Sequence, residues 1–204
     1  MDVLYSFNLT EVHSQINKSV LNTLSFSENE LIIFNELLKL RNVTKKTYML
    51  RAGEVCHFEA FVNKGCLRKY YIDEDGQEVI IQFAIENSWI SDIPSFSSRL
   101  PGNIFIEALE DCELLYLTYE NKEELLLKVP KFERFYRILV EKYLNVLQNR
   151  LHFSISKTAH EKYLDFLRHY PTIPQRVPQH YIASYLGMSA EFLSKVRKRM
   201  AKEK

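Results

Sequence analysis

Apolar positions recur with three textures along the chain, and the changes between them divide it. In residues 25–40, SFSENELIIFNELLKL, the residues Leu31, Phe34, Leu37 and Leu38 fall at helical spacing. Ser27 and Glu30 stand as a capping box, and Phe26 and Leu31 stand where a hydrophobic staple closes, so a helix of about four turns is predicted. The preceding segment, with Leu4, Phe7, Leu9, Val12 and Ile16, is compatible with a weaker helix. From Thr44 to Leu117 the texture changes to short runs rich in Tyr, Val, Ile and Phe, such as FEAFVNKG, CLRKYYI, EVIIQFAI and CELLYLTY, which read as strands. Gly53, Gly65 and Gly76 fall 12 and 11 residues apart at strand boundaries, and Asp75-Gly76 is a hairpin-turn signal. Regular turns with no helical pattern between them predict an antiparallel barrel or jelly roll.

Helical periodicity returns at Tyr119 and runs to Val129, where Pro130 interrupts it. A long helix is predicted from Lys131 to about His152. Phe132, Tyr136, Leu139, Tyr143, Val146 and Phe153 form a heptad-like seam along it, with Arg150 at the skipped position. A second apolar row, Phe135, Val140, Leu144, Leu147 and Leu151, lies beside the first. One row can pack on the barrel while the other meets an identical helix, so a homodimer is expected, with Phe132, Tyr136, Leu139, Tyr143 and Val146 as the dimer-helix candidates. A break around Ser154 to Lys157 precedes an amphipathic segment through Tyr163, Leu164, Phe166 and Leu167, and Pro171, Pro174 and Pro178 punctuate a linker after it.

The stretch QHYIASYLGMSAEFLSKVRKRM then combines two apolar-patterned segments around one glycine. Ile182, Leu186, Met188, Leu193 and Val196 occupy the apolar positions of a helix-turn-helix, with Ala183 and Gly187 at its small-residue positions. Ala183 permits close helix approach, Gly187 can take the positive φ that ends the first helix, and Ser189 is placed to cap the second. The second helix, from Ala190 to about Met200, would enter a major groove by its N-terminal end. Glu191 and Lys195 are the base-reading candidates, because glutamate accepts from cytosine N4 and lysine donates to guanine O6 or N7. Ser194 lies on the same polar face, and Ser189, Lys198, Arg199 and Lys202 suit phosphate. Ala190 and Glu191 leave the particular half-site unread.

Charge distribution supports this placement. The net charge of +1 hides a separation: residues 157–204 carry ten Lys/Arg against four Asp/Glu, whereas residues 1–156 carry 17 against 22. A basic C-terminal module on an acidic body suits a nucleic-acid surface. At 204 residues and 46% hydrophobic composition, the chain can bury a substantial core as one large domain and one small one. No run approaches the ~18 apolar residues of a membrane span, and the start lacks the regions of a secretory signal, so a cytoplasmic location is expected. Cys56, Cys66 and Cys112 form no CxxC pair, so buried thiols rather than a metal site or disulfide framework are expected.

A helix, a glycine-punctuated β-roll, a long helix and a helix-turn-helix, in that order, resemble the cyclic-AMP receptor and fumarate/nitrate regulator (Crp/Fnr) superfamily. RAGEVC, FVNKGCLRKYYIDEDGQEVIIQF and IASYLGMSAEFLSKVRK carry the resemblance most specifically. It implies an α+β chain: an N-terminal cyclic-nucleotide-binding-like effector domain over 1–130 with its antiparallel roll at about 44–118, a dimerisation helix over 131–153, and a helix-turn-helix domain over 154–204. It also implies a non-enzymatic transcription regulator that binds a palindromic promoter site in double-stranded DNA as a homodimer and works with RNA polymerase. Cyclic-AMP-binding members carry Gly-Glu followed about ten residues later by an Arg-Ser/Thr-Ala triplet. The matching stretch here is SDIPSFSSRLPGNI, with Ser91 and Asp92 for the first pair and Gly102-Asn103-Ile104 for the triplet. Ser91, Asp92, Arg99, Gly102 and Asn103 are therefore the effector-pocket candidates. Without a cation paired to the phosphate, tight cyclic-AMP binding is not expected and an unidentified small effector stays open. The cysteines do not match the clustered N-terminal cysteines of oxygen-sensing members, and the usual trailing wing strands are not expected after the last helix. Two other classes remain open: a cupin-like jelly-roll metal enzyme, for which His57 and Glu59 are the neighbouring ligand candidates, and a ligand-binding protein with a degenerate helix-turn-helix.

Overall fold

The computed structural model of the protein describes residues 3–202, with side chains described for 11–153 and 155–201. Helices α1 (Val3–Leu21) and α2 (Glu28–Leu37) come first. The strands are β1 (Lys39–Val43), β2 (Tyr48–Leu50), β3 (Phe58–Lys64), β4 (Leu67–Ile72), β5 (Glu78–Ala84), β6 (Trp89–Ile90), β7 (Phe105–Ala108) and β8 (Cys112–Thr118), with α3 (Ile93–Ser98) between β6 and β7. Helices α4 (Tyr119–Lys128), α5 (Lys131–Ser156), α6 (Ala159–His169), α7 (Ile173–Arg176), α8 (Gln179–Leu186) and α9 (Ala190–Lys202) follow. The side chains of Leu4, Phe7 and Leu9 lie outside the described residues.

Two four-stranded sheets, ordered β1-β8-β3-β6 and β2-β7-β4-β5, form the roll. Strands pair antiparallel, with Lys39↔Tyr116 between β1 and β8 and Phe58↔Thr118 between β3 and β8. Period-2 alternation divides the first sheet between two cores. Ala60, Val62, Cys112 and Leu114 face the roll interior with Leu50, Leu67, Ile106 and Phe96, while Phe61, Leu115 and Leu117 join a helical core with Ile16, Val20, Phe34, Leu125, Phe132 and Phe135. At Gly65, φ is +101° and an added Cβ would lie 2.5 Å from the Cys112 Sγ and 2.7 Å from the Asp111 carbonyl, so the turn between β3 and β4 admits only glycine. The β4–β5 turn is held by Asp73, whose Oδ1 accepts from the backbone N–H of Asp75 at 3.1 Å and of Gln77 at 2.8 Å.

Local signals place most boundaries, and tertiary packing moves the rest. The Ser27–Glu30 capping box is present. The helix ends at Leu37 rather than reaching residue 40, because Leu38 turns extended (φ −75°, ψ 142°) and Lys39 begins the pairing with β8. The long helix continues to Ser156, and the next begins only after Thr158, which forms a second capping box with Glu161. The proline-punctuated segment is not a bare linker: Pro174 lies in the first turn of α7, where a missing N–H is tolerated, and Ile173 and Val177 are buried. On α5, Phe132 and Tyr136 are buried, with the Phe132 ring stacked 4.4 Å from Phe26 and tilted 4.7 Å from Phe34. These two dimer-helix candidates are buried in the helical core with Phe135 of the second row, Leu139 and Tyr143 are half-buried, and Val146 is exposed, as are Val140, Leu144, Leu147 and Leu151 of the second row.

The chain resolves into two compact units, one running to Lys69 and including Phe83–Val140, the other comprising Tyr70–Gln82 and Glu141–Lys204. The first holds both cores described above. The second packs α6, α8 and α9 around Tyr163, Phe166, Ile173, Val177, Ile182, Ala183 and Leu193.

Candidate nucleic-acid interface

The turn between α8 and α9 is built by three small residues. Gly187 adopts φ 66° and ψ 42°, which lets its N–H reach the Ser184 carbonyl at 3.1 Å and the Met188 N–H reach the Ala183 carbonyl at 3.0 Å. Ala183 is buried, so the helices close over a methyl group. The Ser189 Oγ accepts from the Phe192 N–H at 3.1 Å and caps α9. Leu193 is fully buried and Ile182 nearly so, while Leu186, Met188 and Val196 are half-buried at the margin.

The residues placed for DNA contact lie on α9 and on its cap, Ser189, around that anchor. Glu191, Lys195, Lys198 and Arg199 are exposed, and Ala190 and Ser194 are half-buried beside them; the side chain of Lys202 lies outside the described residues. The Glu191 carboxyl is held below its ordinary range by its backbone N–H, the Ser189 hydroxyl and the charge of Lys195. It is therefore a steady acceptor near neutral pH. Sequence reasoning missed two residues here. Phe192 is 49% exposed near the start of α9, an apolar group on a polar face, and can meet a thymine methyl. Arg197 donates to Gln179 Oε1 at 2.9 Å, and Gln179 reaches the Ala190 carbonyl at 3.4 Å, so this arginine ties α9 to the start of α8. No spacing rule marks an i to i+18 pair.

In the roll, the effector-pocket candidates behave differently. Ser91 and Asp92 are buried beside α3. The Ser91 hydroxyl donates to the Phe58 carbonyl at 2.8 Å, the Lys69 ammonium donates to the Ser91 carbonyl at 3.0 Å, and Ser95 donates to the Leu100 carbonyl at 2.6 Å while accepting from the Cys56 N–H at 2.9 Å. Gly102 is brought against Asp92 so closely that an added Cβ would lie 2.3 Å from Oδ2. Asn103 is exposed, and Arg99 caps α3 in the left-handed region with its guanidinium 4.5 Å over the Tyr119 ring and 3.3 Å from Glu120. Ser91, Asp92 and Gly102 are thus gathered, and Arg99 is engaged toward α4. Of the two metal-ligand candidates, Glu59 is paired with Lys122 at 2.9 Å, and no group of three His, Cys, Asp or Glu among the described residues converges to hold an ion.

Residues 40–128 match the family model of the cyclic nucleotide-binding domain. The fold is that of solved transcription regulators. The global regulator CLP of Xanthomonas campestris, described as responsive to c-di-GMP, aligns with TM-score 0.70 and 15% identity over 87% of this chain and 93% of its own. FixK2 of Bradyrhizobium japonicum aligns with TM-score 0.72 and 17% identity over 81% and 85%. A transcriptional regulator assigned to the Crp/Fnr family, from Eubacterium rectale, aligns with TM-score 0.66 and 16% identity over 87% and 85%. Residues 40–128 are thus similar to a cyclic nucleotide-binding domain, and the chain has the fold of these regulators. No curated protein matches it by sequence.

Against that Crp/Fnr frame, the cassette departs in chemistry as well as in letters. A side chain at position 102 would require the Asp92 carboxylate to move aside, and that buried carboxylate lies where an anionic group would otherwise be received. The helix-turn-helix end of the fold keeps its anchor, turn and cap.

Proposed function

We propose that the protein is a homodimeric, sequence-specific DNA-binding transcription regulator and not an enzyme, with α9 reading the major groove. The observation that carries this reading is the exposed face of α9, with Glu191 and Lys195 at its N-terminal half, standing over a buried Leu193 and following the left-handed Gly187 turn. The Crp/Fnr fold supports it. Glu191 and Lys195 contact base edges; Ser189, Ser194, Lys198 and Arg199 contact the backbone or its margin; Phe192 packs on a thymine methyl. Dimerisation uses the exposed α5 row Val140, Leu144, Leu147 and Leu151, each of which would otherwise leave apolar surface in water.

On this reading the roll does not hold cyclic AMP, because Asp92 and Gly102 occupy the place of the phosphate clamp; any effector there is of other chemistry. RNA polymerase is the expected functional partner and the cytoplasm the expected location; among the described residues no helix is long and apolar enough to cross a membrane. Selection from random duplex DNA by the full-length protein tests the reading. It should enrich a pseudo-palindrome with half-site centres roughly 34 Å apart, one helical turn. Enrichment of no palindrome would overturn it.

A further inference from the structure

Within the second unit, a cavity of about 240 Å³ lies between the C-terminal half of α5, α6 and α8. Its aromatic wall is continuous: Phe166 and Tyr185 have ring centroids 5.5 Å apart, Tyr170 meets Tyr185 edge-on at 5.9 Å, and Phe153 lines the same space. Arg150 enters this wall with its guanidinium 4.0 Å over the Tyr185 ring. Its acceptors are all neutral: the backbone carbonyls of Ile80 and Tyr185 at 3.0 and 2.9 Å, and that of Ile81. Among the described residues no carboxylate is paired with it. Asp165, the carboxylate lining the cavity, is bound by Lys157 and Arg168, which hold it below its ordinary range.

A half-buried guanidinium set in an aromatic wall, with more N–H donors than its three carbonyl acceptors use, is a receptor for a planar anion. The volume lies below the ~300–1,000 Å³ usual for drug-sized ligands and suits a one- or two-ring compound. We propose that this cavity is an effector site for a small aromatic carboxylate: the ring stacks within the wall of Phe153, Phe166, Tyr170 and Tyr185, and Arg150 receives the carboxylate. Because Arg150 also holds the Tyr185 carbonyl in the last turn of α8, a bound acid competes for the bond that steadies the first helix of the helix-turn-helix. Its effect on DNA rests on the proposed function; its binding does not.

Calorimetric titration of the full-length protein with indole-3-acetate and phenylacetate, each against its neutral primary amide, tests the site. At least one acid should bind saturably and about tenfold or more tightly than its amide. Arg150→Gln should abolish that preference. Asn149→Trp, which fills the cavity mouth from an exposed position and leaves Arg150 intact, should weaken acid and amide alike by about tenfold, with an unchanged melting temperature showing that the fold persists. Saturable binding by neither acid, equal affinity for acid and amide, or an unaltered preference in Arg150→Gln overturns the proposal. On the DNA selected as above, the bound acid should shift affinity by about fivefold or more. An unchanged affinity removes the regulatory step, whereas failure to select any DNA removes the proposed function and leaves the calorimetry standing.

Discussion

In α9 the polar side chains of Glu191, Lys195, Lys198 and Arg199 stand in solvent beyond a buried Leu193, whereas in the roll Ser91, Ser95 and Lys69 are buried and bond to the carbonyls of Phe58, Leu100 and Ser91. Both regions have sequence motifs that resemble those of one superfamily. The first holds charged groups off an apolar anchor, where a partner can replace their water at little cost. The second has turned its groups inward, where each satisfied bond rigidifies the roll. A shared fold therefore carries over the backbone of a site without its chemistry.

The sharpest way to break that comparison is to show that the inward-turned polar groups are dispensable. Arg68 and Glu107, one strand apart on β4 and β7, form an ion pair at 2.7 Å with side chains 4% and 10% exposed. Glu107→Ala leaves a buried guanidinium without its carboxylate, so denaturant unfolding should show a loss of about 3–5 kcal/mol, with DNA affinity of the folded fraction unchanged. A loss below about 1 kcal/mol would mean that the pair is not integral to the roll.

What the sequence made legible was local. Ser27 with Glu30, the Asp75-Gly76 turn and Gly187 with Ser189 are boundaries set by short-range hydrogen bonds, and each is found in the fold, the middle one held by Asp73. The two rows of α5 were equally legible as rows, but periodicity has no direction. Burial follows position along the helix instead: Phe132, Phe135 and Tyr136, drawn from both rows, pack in the core with Phe26 and Phe34 from about a hundred residues earlier, while Val140, Leu144, Val146, Leu147 and Leu151 are exposed. At Leu38, apolar residues suited both a continuing helix and an incoming strand, and pairing with β8 won. Arg150 gave no signal because its acceptors are backbone carbonyls, which no residue type encodes. In the effector cassette, the missing arginine was readable, but the closeness of Gly102 to Asp92 was not.

The outward-turned region can be sharpened by separating base reading from phosphate contact. Lys195→Ala should lower discrimination by about 1–3 kcal/mol at one base-pair position, measured by titration against single-position site variants. Arg199→Ala should instead weaken all sites alike and reduce the magnitude of the salt slope by about 1. Identical behaviour of the two variants would remove the division of roles along α9.

A smaller effect isolates the turn itself. A Cβ at Gly187 meets nothing within 4 Å, so the cost of Gly187→Ala comes from the left-handed backbone alone and should be about 1–2 kcal/mol in thermal or denaturant unfolding. Gly187→Asn should recover part of it, because asparagine tolerates that region. Equal stability of all three would show that the turn between α8 and α9 is not held where its hydrogen bonds place it.

The smallest effect concerns pH. In the capping box of α6, the Glu161 carboxyl is held below its ordinary value of 4.5, chiefly by the Thr158 N–H and hydroxyl, with Lys157 assisting and Asp165 opposing. A carboxyl depressed in the folded state contributes stability that is fully present above its unfolded pKa and is lost as pH falls through the lower folded value. Glu161→Gln keeps an acceptor for the Thr158 N–H and removes the titration. Its unfolding midpoint, followed between neutrality and pH 3, should therefore decline less steeply below about pH 4.5 than that of the parent chain, while lying slightly lower at pH 7. Because Glu161 is solvent-facing, salt should shrink the Lys157 and Asp165 contributions and leave the Thr158 bonds, so the difference should persist in part at high ionic strength. Its complete loss there would place the depression in the charges rather than in the cap.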